Sequence, residues 1–246
     1  HRERCNGSLF WQYNDCWQAP SWSSVDYTGK WKALQYAARH FFEPVCATVE
    51  DTKNDYKVYA VNDLRDEKNV KIIVALFTLD GKELYSTELK KTLKPLASEC
   101  VYESKIIGNK KDVFLSIKMY ENDALISERT KIFVADRELN LKANTIKKTV
   151  SYENGEIKVK LVSPVFCRSV MVDIVDFKEP FSDNYFDLLP NEEKVITVKA
   201  DKNYEVTVKS LADIPVKSSK FKTALYRAKF FVEPENLANW FYYTTN

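Results

Sequence analysis

After residue 45 the chain is written in a period of two. "YKVYAV" (56–61) alternates apolar with polar positions, and the runs "VKIIVALFTL", "KELYSTEL", "ECVYESKI", "VFLSIKMY" and "ALISERTKIFV" follow it, rich in Val, Ile, Tyr and Phe. Side chains of a strand point alternately to its two faces, so such runs predict strands with one buried face. Turn signals separate them: Gly81 sits in "LDGK", Gly155 in "ENGE" and Gly108 in "IGNK". Asp-Gly and Asn-Gly pairs supply the positive φ of tight hairpins.

The polar stretch "VADRELNLKAN" (134–144) interrupts this rhythm, and a second series begins beyond it with "TIKKTVSYEN", "EIKVKLVSP", "RSVMVDIV", "EKVITVKA" and "YEVTVKSL". Strands at this density suit a sandwich. The pattern therefore predicts a mainly β chain with two tandem immunoglobulin-like β-sandwiches, over 46–136 and 137–214.

The first 45 residues read differently. "SLFWQY" (8–13) is an apolar and aromatic run suited to a buried strand. From Asp26 the period lengthens: Trp31, Leu34, Ala38, Phe41 and Phe42 recur at three- and four-residue spacing, which predicts a helix of about 15 residues that Pro44 ends. One βα unit, 1–45, cannot enclose a core by itself, so it must pack on something. In the tail, 215–246, Leu237, Trp240 and Phe241 have helical spacing; a docked helix and a solvated tail are equally open there.

Composition narrows the classes. At 246 residues, 45% hydrophobic and 29% charged, the chain can build and cover its cores. Its 37 basic and 35 acidic side chains are well mixed and give a net charge of +2, so no nucleic-acid footprint appears. No apolar run reaches the roughly 20 residues of a membrane span. Five widely and irregularly spaced cysteines fit neither a disulfide framework nor a zinc motif; reduced, mostly buried thiols are expected, which leans towards an intracellular site, cytoplasmic or lysosomal. "GKWK" (29–32) lacks the spacing of a phosphate loop, and no cofactor or metal is expected. Asn6-Gly7-Ser8 is formally a glycosylation sequon but leads into the expected buried strand, so chance is the simpler account. The chain opens with neither an initiator Met nor a signal peptide, and its natural N-terminus is expected upstream.

Two stretches carry a resemblance. "GSLFWQYNDCWQAPSWSSVDYTGKWKALQYAARHFFEPV" (7–45) resembles the last βα unit of the catalytic TIM barrel in the β-mannosidases of glycoside hydrolase family 2, and "FSDNYFDLLPNEEKVITV" (181–198) is similar to the C-terminal immunoglobulin-like domain of the same enzymes. The resemblance implies a parent that removes terminal β-mannose from oligosaccharides with retention, using two glutamates. Both belong to earlier barrel strands, so this chain is expected to hold no catalytic residue and to be inactive without the missing N-terminal catalytic portion. Asp183, between aromatics in "FSDNYF", reads as turn chemistry rather than as an acid catalyst.

Barrel enzymes gather their sites in the loops after the strands. By resemblance Trp11 is the candidate platform beneath the mannose ring, with Asn14, Asp15 and Trp17 following in the loop. Terminal β-mannosides or manno-oligosaccharides would be met through the parent enzyme. The rival reading is a non-catalytic carbohydrate-binding or assembly module, for which exposed Tyr85, Tyr102, Tyr120 and Tyr152 on a sandwich face would speak.

Overall fold

A computed structural model describes residues 7–143 and 146–214; the expected tail helix over 215–246 lies outside the described residues. The chain is mainly β. Strands β1 (Val45–Asp51), β2 (Asp55–Asn62) and β5 (Ala97–Lys105) form one antiparallel sheet, while β3 (Lys68–Thr78), β4 (Glu83–Leu93), β6 (Val113–Glu121) and β7 (Ala124–Ile132) form a second in the order β4-β3-β6-β7. The alternation in "YKVYAV" is used as written: Tyr56, Val58 and Ala60 point inward from β2 and meet Ile72, Val74, Leu115, Ile117 and Met119 of the facing sheet, all at most 1% exposed. A buried polar side chain needs its bonds replaced. Asn62, fully buried, donates to the Asp66 and Lys94 carbonyls at 2.8 and 3.2 Å and accepts from the Leu64 amide at 3.0 Å.

The second sandwich repeats the plan with shorter strands. β8 (Lys147–Glu153), β9 (Glu156–Val162) and β12 (Lys194–Lys199) face β10 (Cys167–Asp173), β11 (Phe186–Leu188) and β13 (Thr207–Lys209), with β10 central in its sheet. Ile157, Val159, Leu161, Val170, Val172, Ile196 and Val198 fill the space between.

The two sandwiches share a small apolar seam. Phe114, on the outer face of β6, stacks on Phe166 with ring centroids 4.2 Å apart, flanked by Leu79 and Leu189, and the Phe166 amide donates to the Leu79 carbonyl at 2.9 Å. Around the seam runs a rim of charge. Arg168 binds Asp187 at 2.5 Å and Asp136 at 3.1 Å, Thr130 donates to Asp187, and Lys118 reaches Glu192 at 2.5 Å.

The N-terminal segment departs from expectation. Ser8–Tyr13 forms no strand: Leu9 is fully exposed and Trp11 is 76% exposed. A strand is held by its ladder partners, and no described strand lies beside this run; only isolated bridges join Asn14 to Val25 and Val25 to Trp31. The helix is shorter than its apolar spacing suggested, α1 spanning Ala33–Phe41. Asp26 explains the late start. Its Oδ1 accepts from the Thr28 and Lys30 amides at 2.7 and 3.0 Å, and Gly29 between them has φ +92°, so a turn occupies the positions where helix was expected. The buried face also differs, since α1 hides Tyr36 and Ala38 whereas Phe41 and Phe42 stay half-exposed, Phe41 edge-on to Phe10 and Phe42 tilted against it.

The cysteines are corrected too. The four that are described are free thiols, but only Cys167 is buried; Cys46 is half-buried, and Cys16 and Cys100 are exposed. Cys100 lies on the edge strand β5 beside the inward-facing Val101, and Cys16 lies in the N-terminal loop.

Candidate functional site

The loop between Trp11 and Lys32 is built around one carboxylate. Asp15 is 7% exposed; Lys32 Nζ lies 2.6 Å from its Oδ2, and the Ser21 hydroxyl donates to its Oδ1. Lys32 also reaches the Ser23 hydroxyl at 2.7 Å. The hydrogen bond from Lys32, aided by that from Ser21, outweighs the opposing effect of burial and holds Asp15 down to about 2. Backbone bonds close the loop on itself: the Asp15 amide donates to the Val25 carbonyl at 3.1 Å, the Val25 amide to the Tyr13 carbonyl at 2.9 Å, and the Ser24 hydroxyl to the Tyr13 carbonyl at 2.8 Å.

The four residues expected to meet sugar therefore divide. Asp15 is consumed inside the loop, and its charge is matched by Lys32. Asn14 is exposed, bridges to Val25 and donates from Nδ2 to the Asp15 carbonyl at 3.2 Å. Trp11 and Trp17 face solvent at 76% and 70% exposure, joined by Trp22 at 70%. Their rings are free to receive an apolar surface. Sequence reasoning missed Lys32, Ser21 and Ser23 as the loop's frame; the serines of "SWSS" were a local signal, whereas Lys32 acts across 17 residues and left none.

α1 carries this loop onto the second sandwich. The Phe181 amide donates to Tyr36 Oη at 3.1 Å, Arg39 donates to the Ser182 carbonyl at 2.7 Å, and His40 lies between Glu43 and Asp183 at 3.0 and 3.1 Å. Trp31 stands edge-on to Tyr36 with centroids 5.3 Å apart. Asp183 is thus a bracket: besides His40 it holds Lys194 at 2.9 Å and caps the Asn184 amide at 2.9 Å.

The tyrosines proposed as an alternative platform are spent otherwise. Tyr85 and Tyr102 stack on each other and pack against the first core, Lys71 lies over the Tyr120 ring at 5.1 Å, and Tyr152 donates to the Ala200 carbonyl at 3.4 Å. Among the described residues no group of three or more His, Cys, Asp and Glu gathers as metal ligands, and no helix is long and apolar enough to cross a membrane.

Comparison with known proteins defines the class. Residues 54–137 match the mannosidase Ig/CBM-like domain family and residues 141–214 match the mannosidase Ig-fold domain family. The β-mannosidase of Bos taurus is 43% identical over 82 residues, covering 33% of this chain and 9% of that protein, and that of Capra hircus is 29% identical over 225 residues, covering 84% and 26%. The crystal structure of a β-D-mannosidase from Dictyoglomus thermophilum, 23% identical, superposes with a TM-score of 0.74 over 83% of this chain and 26% of that one, a likeness of fold. The two mannosidase domain matches and these relatives together support reading the chain as a C-terminal fragment of a glycoside hydrolase family 2 β-mannosidase. It spans about a quarter of the length of the curated relatives that match it over most of its own length.

Proposed function

We propose that the chain is the C-terminal scaffold, and part of the sugar-facing rim, of a retaining β-mannosidase that removes terminal β-D-mannose from oligosaccharides. The division into 1–45, 46–136, 137–214 and 215–246 belongs to this reading. The observation that carries it is the set of exposed indoles, Trp11, Trp17 and Trp22, on a loop that Asp15 and Lys32 hold in shape. An aromatic face complements the C–H surface of a sugar ring and leaves its hydroxyls to polar neighbours. Exposed Leu9, and Phe41 and Phe42 packed with Phe10, add more apolar surface than a free-standing segment needs, and a catalytic portion outside this chain is the partner that would cover it.

Retaining hydrolysis needs two carboxyl groups about 5–5.5 Å apart. Asp15, neutralised by Lys32 and hidden in its loop, is suited to neither role. The chain alone is therefore inactive in this reading. Mixing it with the separately produced N-terminal catalytic portion should restore hydrolysis of an aryl β-mannoside, and manno-oligosaccharides should give no heat on titration into the chain alone. Hydrolysis by the chain by itself, or none by the mixture, would overturn the reading.

A further inference from the structure

α1 joins two bodies at its two ends. Lys32, which flanks its first turn, grips the candidate loop through Asp15 and Ser23, and its amide donates to the Ser24 carbonyl at 2.9 Å. The middle and last turn, through Tyr36, Arg39 and His40, are bound to residues 181–183 of the second sandwich. A direct strut bypasses the helix, from Lys30 in the loop to Asp173 at the end of β10, at 2.9 Å. Nine residues of helix are about 13 Å long, too short to bend appreciably. A shift at one end is delivered to the other.

The sandwich end of this rod is stiff. Asn184, 6% exposed, accepts from the Val172 amide at 2.8 Å and donates to the Val172 carbonyl at 2.7 Å, which pins the turn to the central strand β10. Asp183 is fixed from the other side by Lys194.

We propose that Asp183 is a positioning residue: through His40 and α1, and in parallel with the Lys30–Asp173 strut, it sets the place of the loop that carries Trp11 and Trp17, so that the second sandwich governs how tightly a mannoside is held. The claim about the mannoside rests on reading that loop as a sugar-facing rim; the mechanical claim does not. A helix that merely buried Tyr36 would tolerate the loss of either charge contact with no effect beyond its own neighbourhood.

The test uses Asp183→Asn, which keeps the shape and the cap on Asn184, and Asp173→Asn, which removes the strut without touching the turn. Hydrogen exchange in the 246-residue chain should show the Asp15, Ser24 and Val25 amides opening about fivefold faster in each variant, the effect of losing one partly screened ion pair, while the β9 and β12 amides keep their rates. Unchanged loop amides in both variants would overturn the proposal; should Asp183→Asn fail to fold, unchanged loop amides in Asp173→Asn alone would do so. With the chain recombined with its catalytic portion, KM for an aryl β-mannoside should rise about fivefold with kcat nearly constant. A fall in kcat at unchanged KM would sink the claim about sugar binding. If the unsubstituted mixture hydrolyses nothing, the functional reading fails, and exchange still decides the mechanical claim.

Discussion

His40 Nε2 lies 3.1 Å from Asp183 Oδ1 across 143 residues of sequence, and its Nδ1 lies 3.0 Å from Glu43 Oε1. Arg129, also bound to Glu43, donates to the His40 carbonyl, while Lys194 and Glu128 complete the charged surroundings. The bond to Asp183, followed by the opposing cost of burial and the bond to Glu43, raises the His40 pKa above 6.5. A raised pKa means that the imidazolium stabilises the fold fully below the unfolded value and that this is lost as pH rises through the folded value. The stability difference between the unsubstituted chain and His40→Gln, followed through the melting temperature, should therefore shrink above about pH 6.5; solvent screening of the part-exposed ring keeps that free energy below about 1 kcal/mol. Burial pushes Asp183 up, but the bond to His40 and the Lys194 charge prevail and hold it at about 2. Its contribution is present above the ordinary carboxylate value and fades as pH falls towards 2. A difference that grows as pH rises above about 6.5 would refute this account.

Phe166 joins the two sandwiches. Phe166→Ala removes the ring stacked on Phe114 at 4.2 Å, and a truncation of this size in a buried site costs about 3–5 kcal/mol. Calorimetry should show one unfolding transition becoming two, because the cores on either side of the seam are left intact. A single transition at unchanged temperature would contradict the coupling.

Gly81 closes the β3–β4 hairpin at φ +87°, and a Cβ placed there would stand 2.6 Å from Pro190 Cβ. Gly81→Ala therefore combines a strained backbone with a clash between the sandwiches. The expected loss is about 1–3 kcal/mol, read from the denaturation midpoint.

The acid tolerance of the Trp11–Lys32 loop should depend on Lys32. A depressed carboxylate stabilises above its unfolded pKa and ceases to do so as pH falls through the folded one, so with Asp15 held at about 2 the loop should keep its shape down to about pH 3. In Lys32→Met, acrylamide quenching of the loop tryptophans should change already near pH 4. Identical quenching profiles would dissociate Lys32 from the loop's order.

In the recombined enzyme, Trp11→Ala should raise KM about tenfold, the scale of one lost aromatic platform. Trp31→Phe, just before α1 and packed on Tyr36, should leave KM within about twofold, since the aromatic contact with Tyr36 survives. Equal effects of the two would remove Trp11 from the rim.

Most of the fold was legible because a two-residue period has one physical meaning: β2 and β9, and β3 as far as Val74, put their apolar positions where the alternation said, whereas β6 is buried on both faces. Short pairings were less visible. β11, three residues inside "FSDNYFDLLP", is held as a strand by its ladder with β10 and has too few residues to show a period. "SLFWQY" has the composition of a strand but no strand to pair with among the described residues, and the helix begins late because Asp26 bonds to nearby amides first. Trp11 and Trp17 could be named from the resemblance, yet nothing local in the sequence announced that Asp15 would be neutralised by Lys32 or that Asp183 would hold His40. Side-chain bonds between distant residues leave no periodic trace.

The outer face of β6 carries Phe114, buried beneath Phe166 and Leu189 of the second sandwich, with part-buried Phe77 and Ile132 alongside. Cutting the polypeptide between 136 and 141 would therefore not release a clean N-terminal module. It would bare a greasy sheet surface, and the liberated half should self-associate more strongly than the uncut chain.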